Sequence, residues 1–184
     1  QNSEARTVSS KGGAQMTKFE ISGDMYDENR HFFLSHFFRD NYESAMASVP
    51  YIASGVTINK IEVWITNKRA NYDQARNIIA FTDLGESSTH TQNTSWGGVP
   101  NSAPDNNANG LYAAIRATGF RDFQQTSTAL EGLNGMEGGI DFEKIESARL
   151  LSSSEYTLNS ALGYISLKSA LNQDEVLAVA YEYT

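Results

Sequence analysis

The closing segment of the chain, Glu175–Thr184 (E-V-L-A-V-A-Y-E-Y-T), alternates in a way that a β-strand satisfies and a helix does not. Successive side chains of a strand point to opposite faces. Leu177, Val179, Tyr181 and Tyr183 therefore share one face, and Val176, Ala178 and Ala180 share the other. Apolar residues on both faces as far as Ala180 predict a strand in the middle of a sheet, with Glu182 and Thr184 returning the second face to water. Upstream, Glu155–Asn159 and Gly163–Leu167 read as two shorter strands joined by the turn-rich Asn159–Gly163. Lys168–Asp174 is then the loop to the last strand. The alternation runs to Thr184 without a turn or stop signal, so the chain is expected to be a domain excised from a larger polypeptide.

The 184 residues carry nine Phe, nine Tyr and two Trp, enough to fill the core of one domain. Residues 16–184 are read as that single β-rich domain. Gln1–Gln15, polar and containing Gly12-Gly13, is read as a disordered linker. A formal charge of −8 argues against nucleic acid, whose phosphates need clustered Lys and Arg. The same charge argues against an anionic membrane surface. Cysteine is absent, which removes disulfides, thiol nucleophiles and thiolate metal sites. No apolar run approaches the ~20 residues of a membrane-spanning helix.

Met16–Ile21 alternates and predicts a first strand, followed by an acidic exposed turn over Ser22–Asn29. His31–Phe38 (H-F-F-L-S-H-F-F) is rich in residues that favour strands. A helix is expected from Asp40, with Glu43 at capping-box spacing, to about Ser48 before Pro50. Gly55–Asn67 is a strong strand in which Ile61, Val63 and Ile65 oppose Lys60, Glu62 and Trp64. Val56 and Ile58 lie on the second face, so burial switches along the strand and predicts a bulge or twist near Lys60. Lys68–Ala75 is a polar connection, and Arg76–Thr82 reads as the antiparallel neighbour of Gly55–Asn67. Glu86–Gly110 has no periodicity, and a loop of that length is either functional or mobile. Asn109 is placed to cap a helix over Gly110–Thr118 whose Leu111, Ala114 and Ile115 face inward. Arg121–Leu133 holds a second short helix, and Ile140–Leu150 leads back to the closing strands.

The candidate chemistry is sparse. His31 and His36 fall on opposite faces of a strand, and well apart on a helix, so they are not a ligand pair. His90 stands near Ser87 and Ser88, but without the G-x-S-x-G pattern of a nucleophile elbow. Asp105–Gly110 (D-N-N-A-N-G) matches the first half of a calcium loop. The twelfth position, however, is Arg116, and Leu111 and Ala113 already belong to the expected helix. Asp24, Asp27, Glu28, Asp174 and Glu175 sit in turn-like places as solvated acids and not as a glycosidase pair. Trp96, Tyr112 and Trp64 are the residues from which a sugar-stacking platform would be built; Trp96 beside Gly97-Gly98 is the one hint of it, and core or interface packing is the favoured reading of these aromatics.

Several segments, in order, resemble one family. They are His31–Glu43 (H-F-F-L-S-H-F-F-R-D-N-Y-E), Gly55–Asn67 (G-V-T-I-N-K-I-E-V-W-I-T-N), Arg76–Glu86 (R-N-I-I-A-F-T-D-L-G-E) and the closing strands. From Met16 to Thr184 the chain resembles the SprA/Sov family, the outer-membrane translocon of type 9 secretion, which gliding bacteria also need for motility. The resemblance implies a non-enzymatic, soluble insertion of a large barrel, on the cell-surface or periplasmic face, with no catalytic, metal or cofactor residues to assign. It implies as partners the rest of the parent barrel, a PorV-like outer-membrane barrel, a plug protein and secreted cargo. The expected fold is mainly β, a two-layer antiparallel sandwich that admits a jelly-roll arrangement, with two or three short helices. Its centre is Lys60–Asn67 beside Arg76–Thr82, joined by Val176–Tyr183. Phe32, Phe33, Phe37, Phe38, Trp64 and Phe81 are expected to supply much of the core. The other class of function kept open is an extracellular carbohydrate-binding β-sandwich module.

Overall fold

A computed structural model describes residues 27–68, 72–118 and 122–184. The expected strand Met16–Ile21 and the linker Gln1–Gln15 lie outside those residues. So do most of Ser22–Asn29, part of Lys68–Ala75 and the start of Arg121–Leu133. In chain order the elements are β1 (His31–Phe33), α1 (His36–Asp40), α2 (Tyr42–Met46), β2 (Ile58–Ile65), β3 (Arg76–Phe81) and α3 (Leu111–Thr118). They continue with α4 (Thr126–Glu131), β4 (Phe142–Leu150), β5 (Tyr156–Asn159), β6 (Tyr164–Leu167) and β7 (Leu177–Tyr183). All strand pairs are antiparallel, in a three-stranded sheet β1-β6-β5 and a four-stranded sheet β3-β4-β2-β7. This is the two-layer, mainly β architecture that the alternation requires.

The two layers share a core. Ile58, Val63 and Ile65 of β2 meet Ile165 and Leu167 of β6, together with Leu34, Phe38 and Leu151. Leu177, Val179, Tyr181 and Tyr183 of β7 pack against them, so the odd-numbered face of β7 points inward as the pattern demands. Each such side chain contributes about 1.5–3 kcal/mol when fully buried, and this cluster supplies most of the cohesion between the layers. The opposite face of the larger sheet is also covered: Trp64 packs with Ile145 and Ala148, with the Arg76 guanidinium 5.6 Å from its ring centroid. A third cluster of Trp96, Leu111, Leu130, Met136 and Phe142 fastens α3 and α4 to β3 and β4.

Several expectations are corrected by the pairing. β7 ends its sheet and is not central; Ala180 on its outer face is exposed, so small residues there do not mean close cover. β3 does not neighbour β2, because β4 lies between them. β4 escapes a period-two reading for a physical reason. Its pairing runs Arg76↔Ala148 and then Ile78↔Ile145, so β4 carries one more residue than β3 over that interval. Ser147 takes φ 49° there, and the buried positions fall at Phe142, Ile145 and Ala148. The bulge puts Ile145 and Ala148 on one face at a spacing of three, while Phe142, in regular register with Ile145, is buried on the opposite face under α3 and α4. The irregularity expected near Lys60 is present, as the register with β7 shifts between Ile58 and Lys60.

His31–Phe38 is a strand only as far as Phe33. Ser35 is extended (φ −155°, ψ 168°) and α1 begins at His36. The helical turn drops Phe38 into the shared core at 3% exposure, whereas Phe33 remains 39% exposed on the surface. Trp64 is buried as expected, and Phe32, Phe37 and Phe81 are partly buried. The helix expected from Asp40 is α2, and Asn41 occupies its N-cap position without a side-chain cap. The Asn41 amide donates instead to the Phe37 carbonyl (2.8 Å), so the Asp40–Glu43 capping box is not made.

Phe38 is seated by Gly163, which turns the chain between β5 and β6 at φ +63°, where an added Cβ would overlap the Phe38 ring. Gly163→Ala is expected to cost roughly 2–5 kcal/mol, combining left-handed strain with overpacking. Gly55→Ala, at φ +71° with open space around it, carries only the strain, about 1–2 kcal/mol. Urea midpoints of the two variants check this, and equal midpoints would contradict the contact.

Candidate functional site

The aperiodic segment Glu86–Gly110 is folded around buried polar side chains. Asp83, directly after β3, is 2% exposed. Its two carboxylate oxygens accept from the backbone N–H groups of Gln92 (2.8 Å) and Asn93 (2.9 Å). Asn109, also buried, donates through Nδ2 to the carbonyls of Asp83 (2.7 Å) and Glu86 (2.9 Å). Its Oδ1 accepts from the Leu111 N–H (2.9 Å), which is the cap expected for α3. One carboxamide thus fastens the start of the loop to its end and opens a helix. Gly98, at φ +125°, lies so close to the Ala108 carbonyl that no side chain fits. Buried main-chain groups need partners, and here the loop supplies them itself.

The mouth of this loop meets α1. The rings of His36 and His90 stack with centroids 4.8 Å apart and planes 12° from parallel. His90 Nε2 lies 2.8 Å from Asp40 Oδ2, and Glu86 Oε1 accepts the His36 backbone N–H (3.1 Å). Glu86 is buried, and that burial raises its carboxyl pKa above the ordinary value. The His36 N–H bond and the nearby imidazoles of His36 and His90 only partly oppose the shift. Beside it, burial pushes the Tyr181 phenol far up. The buried hydroxyl of Ser87 has no hydrogen-bond partner among the described residues. His31 is elsewhere, 2.8 Å from Ser166 Oγ and 3.3 Å from Asp27. His31 and His36 therefore do not pair, as their spacing implies. The long-range pairing of His36 with His90 has no local sequence signal.

The remaining candidates separate. His90 donates its backbone N–H to the Ser87 carbonyl (2.9 Å), a turn contact and not a Ser–His dyad. Asp105 accepts from the Asn107 N–H (2.7 Å), and with Asn109 turned inward the D-N-N-A-N-G run is an Asx turn leading into α3. Arg116 lies over the Tyr112 ring at 5.7 Å. Trp64 and Trp96 are 5% and 7% exposed, so the exposed platform built from Trp64, Trp96 and Tyr112 is not formed; Trp96 belongs to the core beneath α3. Asp27 pairs with Arg30 (3.0 Å) and Asp174 with Lys68, Glu175 accepts from Asn172 (2.8 and 2.9 Å), and Glu28 is exposed. Asp24 lies outside the described residues. Among the described residues no three His, Asp or Glu side chains converge as metal ligands.

A family model described as motility related/secretion protein, SprA_N, matches residues 1–172. The chain belongs to this family. No curated protein matches it. The SprA_N match takes in β1 to β6 and ends in the loop before β7, so the three-stranded layer, three strands of the other layer and the whole Asp83–Asn109 loop fall inside it.

Two open features of this SprA_N chain stand out against the internal polar knot. Phe33 makes edge contacts with Tyr42 and Tyr164 at 5.6 and 5.9 Å, and with His31 these rings line a shallow hollow of about 250 Å³. At one end of the sandwich a cleft of about 450 Å³ holds Arg149 and Glu155 between β2 and β6. Arg149 Nη1 reaches both Glu155 oxygens (2.8 and 3.0 Å). Burial alone would raise the Glu155 carboxyl, but the Ser152 N–H and hydroxyl and the Arg149 guanidinium outweigh it and hold the carboxyl below its usual range.

Glu86 sets a pH dependence. Its folded pKa lies above the unfolded one, so the stability associated with the protonated form is present below the ordinary carboxylate value. It is lost as pH rises through the folded value. Glu86→Gln keeps an oxygen acceptor for the His36 N–H and carries no charge. The variant is expected to gain stability relative to the parent between pH 4 and pH 7, measured by urea unfolding at both. Identical pH dependence in parent and variant would contradict the burial of this carboxyl.

Proposed function

We propose that this SprA_N chain is a soluble structural and interaction module of the outer-membrane protein-export translocon of type 9 secretion. The family supports a part in motility and secretion. The observation that carries the finer reading is where the reactive side chains are used. Asp83, Glu86, Asn109, Asp40 and His90, the groups that chemistry would need, hold the loop and α1 together. What the molecule turns outward is shape: an aromatic hollow at Phe33, exposed Val49, Tyr51 and Ile52, and the open side of β7. Exposed apolar clusters of this kind mark contact surfaces.

In this reading the domain lies at the outer membrane on the cell-surface or periplasmic side. It contacts the rest of its parent barrel, a PorV-like partner, a plug protein or exported cargo. In this reading its strands are not part of the barrel wall: β1, β5 and β6 span three or four residues, against about 9–11 for a membrane strand, and among the described strands only β4, with nine, reaches that length. No described helix is long and apolar enough to cross a membrane.

In-frame removal of residues 15–184 from the parent protein is the test. Cargo in the medium and gliding are expected to disappear while the shortened parent is still recovered in the outer membrane. Export continuing at the normal level in that strain would contradict the proposal.

A further inference from the structure

β7 is the last strand of the four-stranded sheet, and only one of its sides is paired among the described residues. Which main-chain groups are left over follows from the bonds on the other side. The Thr66 N–H donates to the Val176 carbonyl, and Thr57 and Thr184 exchange both of their main-chain bonds. Main-chain groups of successive residues point to opposite sides of a strand. Those of Ala178, Ala180 and Glu182 therefore face β2, and those of Val179, Tyr181 and Tyr183 face away. The bulge in this pair inserts its extra residue into β2, between Ile58 and Lys60, so the parity along β7 is unbroken.

The unpaired side opens on a groove of about 520 Å³ between β7 and the loop residues Leu84, Gly85 and Pro104–Asn106. Consecutive residues Val179 to Tyr183, from both faces of the sheet, line it. A groove on one face would show alternate residues only, so this one runs along the strand edge. The Tyr183 hydroxyl donates to the Pro104 carbonyl (2.5 Å) and holds the two walls together. Natural edge strands are blunted with charges, Pro, a bulge or a covering loop; β7 (L-A-V-A-Y-E-Y) has neither Lys nor Pro nor a bulge of its own, and carries Glu182 beside a loop that leaves the groove open. The charges on the walls are Asp105 and Glu182, with no basic residue lining the groove, in a chain of net charge −8; Lys60 reaches Glu182 from the neighbouring strand at 3.6 Å, an exposed pair that a basic peptide residue would compete with.

We propose that this edge accepts an extended polypeptide segment of alternating apolar and basic residues as an added strand beside β7. Its main chain pairs with Val179, Tyr181 and Tyr183, as in other cases of strand addition. Its apolar side chains lie against Leu84 and Tyr181, and its basic ones meet Asp105 and Glu182. The edge has this chemistry wherever the domain sits in the cell, so the binding test and the export test fail independently.

The 184-residue chain, titrated calorimetrically with the octapeptide Val-Lys-Val-Lys-Val-Lys-Val-Lys, is expected to bind it. Binding is expected to weaken at least tenfold when alternate peptide nitrogens on the pairing side are methylated, or when Glu replaces Lys in the peptide. The double variant Asp105→Asn, Glu182→Gln, checked for an unchanged far-UV spectrum, is expected to bind at least threefold more weakly. Equal affinity for the methylated peptide would overturn the proposal, since charge alone would then explain binding. Absence of binding, or a dimer of the free chain that the peptide competes with, would overturn it too, the latter by assigning the edge to a second copy.

Discussion

The main-chain hydrogen bonds of β2 are the constraint on which the rest of the structure depends. β2 pairs with β7 along its whole length and with β4 through Trp64 and Ile65, and the Leu151 N–H extends the second ladder to the Val63 carbonyl (2.8 Å). Over Val63–Ile65 this strand is buried on both faces and has no water to satisfy its amides, so both neighbours are obligatory there. Val63, with no exposure, points at β6 across the shared core, while Trp64 fills the opposite face against β4. β4 then presents its far edge to β3, and the residue added around Ser147 lets it twist between two different partners.

From this frame the polar features acquire their places. Phe38 roots α1 in the shared core against Gly163, and α1 in turn holds Asp40 and His36 where His90 and Glu86 can meet them. The loop carrying those two residues is fixed at its base by Asp83 and closed by Asn109, whose second role is to start α3. Leaving a buried polar group without its partner costs about 1–3 kcal/mol, which is why such a loop can be ordered without strands or long helices. The same arrangement leaves these groups bound to their own backbone.

Alternation made the last third of the chain legible, down to the inward face of β7, because nothing interrupts a period of two there. The switch of apolar residues from Val56 and Ile58 to Ile61 and Val63 was enough to locate a bulge, and Asn109 was recognisable as a cap from its place before Leu111. β4 was hidden because its bulge erases the alternation. The edge position of β7 was hidden because Ala178 and Ala180 look the same whether covered or open. Core packing, the favoured reading of Trp96, is what the structure shows, but the reason for the glycines beside it was not legible: Gly98 lets the chain press against Ala108. The stacking of His36 on His90 joins residues whose separation no local pattern encodes, and the acidic residues in T-D-L-G-E just after β3 were the one available hint of a pinned loop.

Amide hydrogen exchange, followed residue by residue by NMR, tests the central arrangement most directly. Amides of Lys60, Glu62 and Trp64, which face β7, and of Ile65, which faces Arg149 of β4, are expected to exchange slowly. Along β7 those of Ala178, Ala180 and Glu182 should be slow, and those of Val179, Tyr181 and Tyr183 fast. Uniform protection along β7, or rapid exchange at Trp64 and Ile65, would contradict the assignment of β2 as the inner strand and β7 as the open edge.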